Sequence, residues 1–272
     1  DKISILCRAL GTQIIEQCKK YIDLNTILEG DTSNGKLMLE NSICCCEKFI
    51  NIFDRISQMD SLSEQPVISI INKSAYCHVD IFIQRCEDLM EISDARFVYN
   101  TCKEVKMIGG ARGSIHEAQY KKIESLFSAI LENVKEMRDS ILDVTTNTWL
   151  NKIVEIRCQI QDIDNMVNNL ILEIFKDVQN VEEGIEAIYA MKRFVTRKYL
   201  QKTLHHYWMI VWKIFEDELE SSSVTMQNSV YHSAMTKHAG CAMILRSKSE
   251  YLGNQLNMLI DASDWFGDSN IQ

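Results

Sequence analysis

One proline, Pro66, and ten glycines stand among 272 residues. A sandwich or barrel reverses its chain roughly every 8–12 residues, and those reversals draw heavily on glycine and proline. A chain so poor in breakers lacks the turn chemistry for such a fold, and the sequence therefore predicts an all-α protein. The length is too great for one compact helical domain to be assumed. The expected architecture is an elongated stack of consecutive helical bundles that share long helices.

The formal net charge is -9. That balance argues against a chain whose main task is to neutralise nucleic-acid phosphates or an anionic membrane surface. Direct binding to the acidic surface of a microtubule is disfavoured for the same reason. No uninterrupted apolar run approaches the about 18 residues that a membrane span requires. Ten cysteines are present, three of them consecutive at Cys44, Cys45 and Cys46, and neighbours on a helix point in different directions. The chain opens at Asp1 without the basic start and apolar core of a signal peptide, so a reduced, cytoplasmic setting is expected. An opening residue other than Met predicts an excerpt of a longer chain.

Periodicity organises the rest. Ile3, Leu6, Leu10, Ile14 and Cys18 predict a first helix over residues 2–22. A polar break is expected over 28–35, then a second helix to about Ile56, then a linker over 57–66. A helical pattern resumes at Val67 and continues to Met107, where Gly109, Gly110 and Gly113 predict an interruption. Ile123, Leu126, Ile130, Val134, Met137 and Ile141 form one stripe of threes and fours, and Ile153, Ile156, Ile160, Ile163, Val167, Leu170 and Ile174 form another. The short polar link at 145–148 predicts a helical hairpin. A shorter helix follows over 181–194. In the next one, Leu204, Trp208, Val211, Phe215 and Leu219 share a face that Tyr207, Ile210 and Ile214 widen. The serines at 221–223 predict a loosening, and a last helix is expected over 239–260, with fraying from Asp261. Three domains follow from these breaks: 1–60 as a helical pair, 67–222 as a long bundle with its hairpin at 145–148, and 223–272 as the start of a further bundle.

Catalytic chemistry finds no foothold in this pattern. The Gly109-Gly110-Ala111-Arg112-Gly113 segment lacks the Lys-Ser/Thr of a phosphate loop and follows a helix, not a strand; it reads as a turn. The three adjacent cysteines do not form the paired ligands of a structural zinc site. They read as small apolar residues partly buried in a bundle. His205 and His206 diverge by about a hundred degrees on a helix, and His205 reads as exposed or capping. Acidic pairs such as Asp162 and Asp164 read as a solvated face. A di-iron bundle needs inward Glu-x-x-His pairs, which are missing. The expectation is a segment with no catalytic residue, no metal site and no cofactor of its own. Candidate partner-binding residues are the basic cluster Lys192, Arg193, Arg197 and Lys198, which reads either as an ordinary exposed face or as a surface for an acidic partner helix, and the tryptophans Trp208 and Trp212, which read first as core packing and second as a partner hot spot.

Several segments, in order, carry a resemblance to a known family. Cys7-Arg8-Ala9-Leu10 followed by Gln13-Ile14-Ile15 resembles a "cysteine-arginine-x-leucine" helix, and Phe82-Ile83-Gln84-Arg85-Cys86-Glu87-Asp88-Leu89 with Glu91-Ile92 is similar to an "F-x-x-R-C-x-D-L" run. The glycine segment at 109–113 is similar to a "G-G-x-(K/R)-G" link. Arg197, Leu200, Tyr207, Phe215, Glu218 and Leu219 fall where an "R-P-x-I", a tyrosine and an "F-x-x-E-L" ending are found. Ala239-Gly240 with Arg246-Ser247 resembles an "A-G-x-I-x-W-x-R-S-L" segment. These are features of the N-terminal tail of dynein heavy chains, and the glycine link favours an axonemal, outer-arm-like heavy chain. Departures are Lys198 in place of proline, Ile244 for tryptophan, Lys248 for leucine, and no proline before Ala239.

The resemblance implies a non-catalytic tail segment that scaffolds a dynein arm. Its implied partners are intermediate chains, light chains and other heavy chains, with attachment to the doublet microtubule through docking factors. ATP and magnesium would be used by the motor domain of the parent chain, a microtubule motor ATPase whose ring lies outside this sequence. The implied location is the axoneme of a cilium or flagellum. The competing expectation is a spectrin-like or vesicle-tethering helical rod unrelated to motors.

Overall fold

The computed structural model describes residues 2–60, 76–100, 110–228 and 237–267. Among them every regular element is helical. In chain order these are α1 (Lys2–Tyr21), α2 (Leu24–Leu28), α3 (Thr32–Asp60), α4 (Cys77–Tyr99), α5 (Gly110–Glu136), α6 (Arg138–Ile141), α7 (Thr148–Lys176), α8 (Val181–Ala190), a 3-10 turn (Lys192–Thr196), α9 (Lys198–Asn228) and α10 (Lys237–Phe266). The all-α expectation holds.

Local chemistry explains where the boundaries fall. The Asp23 carboxylate accepts from the backbone N–H groups of Asn25 and Thr26 and so caps α2. Asp31 accepts from Ser33 N at 3.3 Å and Asn34 N at 3.2 Å. That cap starts α3 at Thr32, inside the break expected over 28–35. Asn180 caps α8 by accepting from Glu183 N at 2.8 Å, while Glu183 accepts from Gln179 N at 3.2 Å. This is a near-reciprocal capping pair.

Several expected interruptions are absent. Gly110 and Gly113 lie in the first turns of α5, so that part of the expected glycine turn is helix, and Gly109 falls outside the described residues. Serine costs only a few tenths of a kcal/mol in a helix, and α9 continues through 221–223 to Asn228. The last helix runs to Phe266, past the expected end at 260. The linker beyond residue 60, and the helical pattern at 67–75 and 101–107, lie outside the described residues.

The chain divides into two compact units, one of Asp1–Thr101 with Glu124–Gln161, the other of Cys102–Ile123 with Asp162–Gln272. This differs from the three domains expected from the polar breaks, because α5 and α7 each contribute residues to both units.

In the first unit α3 packs on α1, α2 and α4, and α1 also meets α4. Its apolar interior includes Ile15, Leu39, Phe82, Leu89 and Phe127. The face that α1 buries is not the one its strongest apolar residues suggest. Leu6 is 58 % exposed and Leu10 39 %, whereas Cys7, Ile15, Cys18 and Ile22 are buried. Close approach decides the register, since a Cβ on Gly11 would meet His78 and Val79 side-chain atoms at 2.9 Å. The small residues Cys7 and Gly11 therefore face α4, and the larger leucines turn outward.

In the second unit α8, α9, α10 and the 3-10 turn pack together. Ile163, Val167, Leu170 and Ile174 of α7 are buried as the stripe predicts. Gly184 of α8 lets α9 come close, because a Cβ there would stand 2.6 Å from Val211 Cγ2. Gln119 of α5 donates to Glu173 near the end of α7 at 2.9 Å. That pairing of an early α5 residue with a late α7 residue is the antiparallel arrangement expected from the link at 145–148.

Candidate partner surface and the buried ion pairs behind it

The run from Phe82 to Leu89 places Phe82, Cys86 and Leu89 on the buried face of α4, with the charged Arg85 and Asp88 buried beside them, each 1 % exposed. Charges this far from water need partners. Arg85 donates to the carbonyls of Ser140 at 3.2 Å, Ile141 at 3.0 Å and Thr146 at 2.6 Å. It thereby satisfies the Ile141 carbonyl at the C-terminal end of α6. Burial lowers the Arg85 pKa, opposed by the charges of Asp143 and Asp88, and the guanidinium stays protonated at any ordinary pH.

Asp88 collects donors from α7 and from its own helix. The Trp149 indole N–H donates to it at 2.8 Å, Arg157 at 2.8 Å and Gln84 at 3.3 Å. Arg157 reaches Glu91 as well, at 2.8 Å, and that carboxylate is the main reason its pKa is raised. Arg85 and Asp88 thus fasten the hairpin between α6 and α7 to α4.

The candidate residues of the second unit have varied surroundings. Arg197 donates through Nε to Asp164 Oδ1 at 3.1 Å and through Nη2 to Oδ2 at 2.5 Å. The pair is largely out of water, with side-chain exposures of 17 % and 4 %. Asp164 is therefore a buried partner in an ion pair, not part of a solvated acidic face. The Arg193 guanidinium lies 4.2 Å over the Tyr120 ring, a cation–π contact. Lys192 Nζ stands 4.4 Å over Trp265. Both Lys192 and Lys198 are exposed.

The two tryptophans separate. Trp208 is fully buried, with its indole N–H donating to the Leu259 carbonyl of α10 at 3.2 Å. It belongs to the core, the first of the two roles read from the sequence, and is not available as a surface contact. Trp212 is half-buried and donates to Glu216 at 3.2 Å. His205, expected to be exposed or capping, stacks 5.6 Å from Trp208 and meets Phe266 edge-on at 5.4 Å. Tyr207 stacks on Phe175 at 4.5 Å. Lys248 pairs with Glu218 at 2.9 Å.

Cys46 is buried, while Cys44 and Cys45 are exposed. Among the described residues no group of three or more His, Cys, Asp or Glu side chains is placed to hold a metal ion. Among the same residues, no helix is long and apolar enough to cross a membrane.

Compared with known proteins, the chain matches the family described as "Dynein heavy chain, N-terminal region 1" over residues 1–272. The chain belongs to that dynein heavy chain family. It is 21 % identical over 221 residues to the Dynein-1-beta heavy chain, flagellar inner arm I1 complex, of Chlamydomonas reinhardtii, a match covering 81 % of this chain and 5 % of that protein. The Dynein beta chain, flagellar outer arm, of the same organism is 20 % identical over 201 residues, covering 73 % of this chain and 4 % of that protein. Dynein axonemal heavy chain 2 of Mus musculus is 26 % identical over 155 residues, covering 56 % and 4 %. The chain thus spans only about a twentieth of the length of these relatives.

Family membership sets aside a rod unrelated to motors. It also gives the dynein-like residues a physical content that sequence reasoning missed. In this heavy-chain region Phe82, Arg85, Cys86, Asp88 and Leu89 are all buried, and Arg197 is an ion-pair residue. The signal for Arg85 and Asp88 was available in the sequence as two charges three apart inside an apolar helical face.

Proposed function

We propose that this chain is a non-catalytic tail segment of an axonemal dynein heavy chain that scaffolds assembly of the dynein arm. The match to the heavy-chain N-terminal region along the whole chain carries this reading. The relatives named for flagellar and axonemal dyneins support placing it in the axoneme of a cilium or flagellum, within the cytoskeleton of the cytoplasm. ATP and magnesium belong, in this reading, to the motor domain of the parent chain. The segment itself uses no cofactor and contributes no catalytic residue.

Scaffolding requires rigid elements and surfaces left for partners. The buried ion pairs supply rigidity. Exposed apolar side chains on α1 (Ile5, Leu6) and α10 (Met243, Ile244, Leu245) offer contact area. The partners proposed are intermediate chains, light chains and other heavy chains, with docking factors linking the arm to the doublet microtubule. For an acidic partner helix, the exposed Lys192 and Lys198 with the half-buried Trp212 are the contact residues proposed.

The test is a parent heavy chain lacking residues 67–260, expressed in place of the natural one, followed by purification of the arm. Loss of intermediate and light chains from the purified complex is expected. An arm of unchanged composition would sink the scaffold reading. The paired charge reversals Lys192→Glu and Lys198→Glu should weaken partner recovery and leave the helical content unaltered.

A further inference from the structure

The first unit holds a thiol cluster that no contact described so far employs. Cys18 on α1 is 6 % exposed. It lines, with Cys45 of α3, a groove between the two helices whose walls include Leu10, Ile14, Tyr21 and Asn41. The thiols of Cys46 and Cys45 lie close enough to Cys18 to influence its titration, and the Cys18 S–H donates to the Ser42 carbonyl oxygen at 4.0 Å. Cys86 of α4 closes the cluster from the core side, fully buried and close enough to feel the charge of Cys18. All four are free thiols.

We propose that Cys18 is a peroxide-reactive thiol and that Cys45 resolves its oxidation product, closing a disulfide between α1 and α3. The roles follow from position. Cys18 is the cluster thiol that both receives hydrogen bonds from other thiols and opens on the groove. Donation from Cys46 lowers its pKa against the opposing effect of burial, which favours the thiolate. Cys46, the donor, is held as a thiol well above the ordinary range. Burial pushes Cys86 up to about 12. Cys45 is exposed and shares the groove, which makes it the accessible second thiol. Burial and the charge of Cys18 raise the Cys45 pKa, and the latter effect vanishes once Cys18 has been oxidised.

Other charged groups near the cluster are Glu16 on the groove wall from α1, Lys48 acting on Cys45 from α3, and Glu87 and Asp88 acting on Cys86 from α4.

The chemistry balances with hydrogen peroxide as oxidant. The Cys18 thiolate attacks one peroxide oxygen, the O–O bond breaks, and the departing hydroxide takes up a proton to leave as water. Cys18 is then a sulfenic acid. The Cys45 thiolate attacks that sulfur, the S–O bond breaks, and a second water leaves. Two thiols have lost two electrons, and one peroxide has become two waters.

The experiment uses the intact heavy chain, reduced and then titrated with hydrogen peroxide, with differential alkylation and peptide mapping. A peptide linking Cys18 to Cys45 should appear while Cys44, Cys77 and Cys158, all exposed, are still fully alkylated. Cys45→Ser should accumulate Cys18 trapped by dimedone. Cys46→Ala should shift the pH profile of Cys18 alkylation upward by one unit or more, and Cys46→Ser, which keeps a donor, should restore it. The proposal is overturned if the three exposed cysteines oxidise as readily as Cys18, or if the peroxide-treated wild type links Cys45 elsewhere. The wild-type peptide map distinguishes these outcomes even where a variant fails to fold.

Discussion

Replacing Asp88 by alanine removes the acceptor shared by Trp149, Arg157 and Gln84. The Trp149 indole, 0 % exposed, is then left with a buried unsatisfied N–H, which costs about 1–3 kcal/mol in addition to the lost charge-assisted bond of about 1.5–3 kcal/mol. The Arg157 guanidinium is 41 % exposed, so water takes over its share and its pairing adds about 0–1 kcal/mol. Together these contributions bracket about 2.5–7 kcal/mol for Asp88→Ala, and about 3–5 kcal/mol within that span is expected, the range for breaking a buried charged contact. Asp88→Asn keeps one carbonyl oxygen for the indole and should lose about 1–2 kcal/mol. Urea unfolding followed by tryptophan fluorescence reads this unit by unit, since Trp149 falls in the first unit while Trp208, Trp212 and Trp265 fall in the second. The Trp149 contribution should unfold at lower urea and start from a more water-like emission. A shift below about 1 kcal/mol with unchanged Trp149 emission would refute the reasoning.

Gly184→Ala should destabilise the second unit by about 1–3 kcal/mol, because the added methyl enters space held by Val211; Val211→Ala in the same chain should recover part of the loss in thermal melts. Arg197→Ala takes the guanidinium from a buried Asp164 and should cost about 3–5 kcal/mol. Arg197→Lys, which keeps the charge but not the two-pronged geometry, should cost less, and equal losses in denaturant titrations would contradict the role of that geometry. Burial lowers the His78 pKa below its ordinary 6.5, so the folded state prefers the neutral ring. The unfolded chain then binds more protons, and stability is full above about pH 6.5 and declines as pH falls through that value. The first unit should lose less stability between pH 7.5 and 5.5 in His78→Gln than in the wild type; parallel losses would exclude His78 as the cause.

The α7 stripe is legible in the sequence because one helix face meets the core along its length, and local spacing records that directly. The face of α1 is not, because hydrophobicity favours Leu6 and Leu10, while the approach of α4 at Gly11 demands small residues, and that demand comes from a partner 67 residues later in the case of His78. Asp164 looks solvated in sequence, and the charges of Arg85 and Asp88 stand out inside an apolar face without showing what pairs them, since burial of a charge depends on a remote partner. Trp149 is 61 residues from Asp88, and Arg197 is 33 from Asp164. The basic cluster reads as one patch along the chain, yet Arg197 turns to Asp164 and Arg193 to Tyr120. The thiol cluster is half visible as three adjacent cysteines. What joins Cys45 and Cys46 to Cys18 and Cys86 is the packing of three helices, which no local pattern encodes.

The seating of α10 has a dynamic consequence. Leu259, Ala262 and Ser263 are buried and the Leu259 carbonyl is bonded to Trp208, whereas Met243, Ile244 and Leu245 are 45–61 % exposed. A helix seated by apolar contacts at one end, and tied near the other by the partly exposed Lys248–Glu218 pair, opens first from that second end, because breaking its early turns exposes little new apolar surface. Amide protons of the α10 stretch before Tyr251 should therefore exchange with solvent far sooner than those around Leu259, so that one continuous helix spans a steep gradient of local opening free energy.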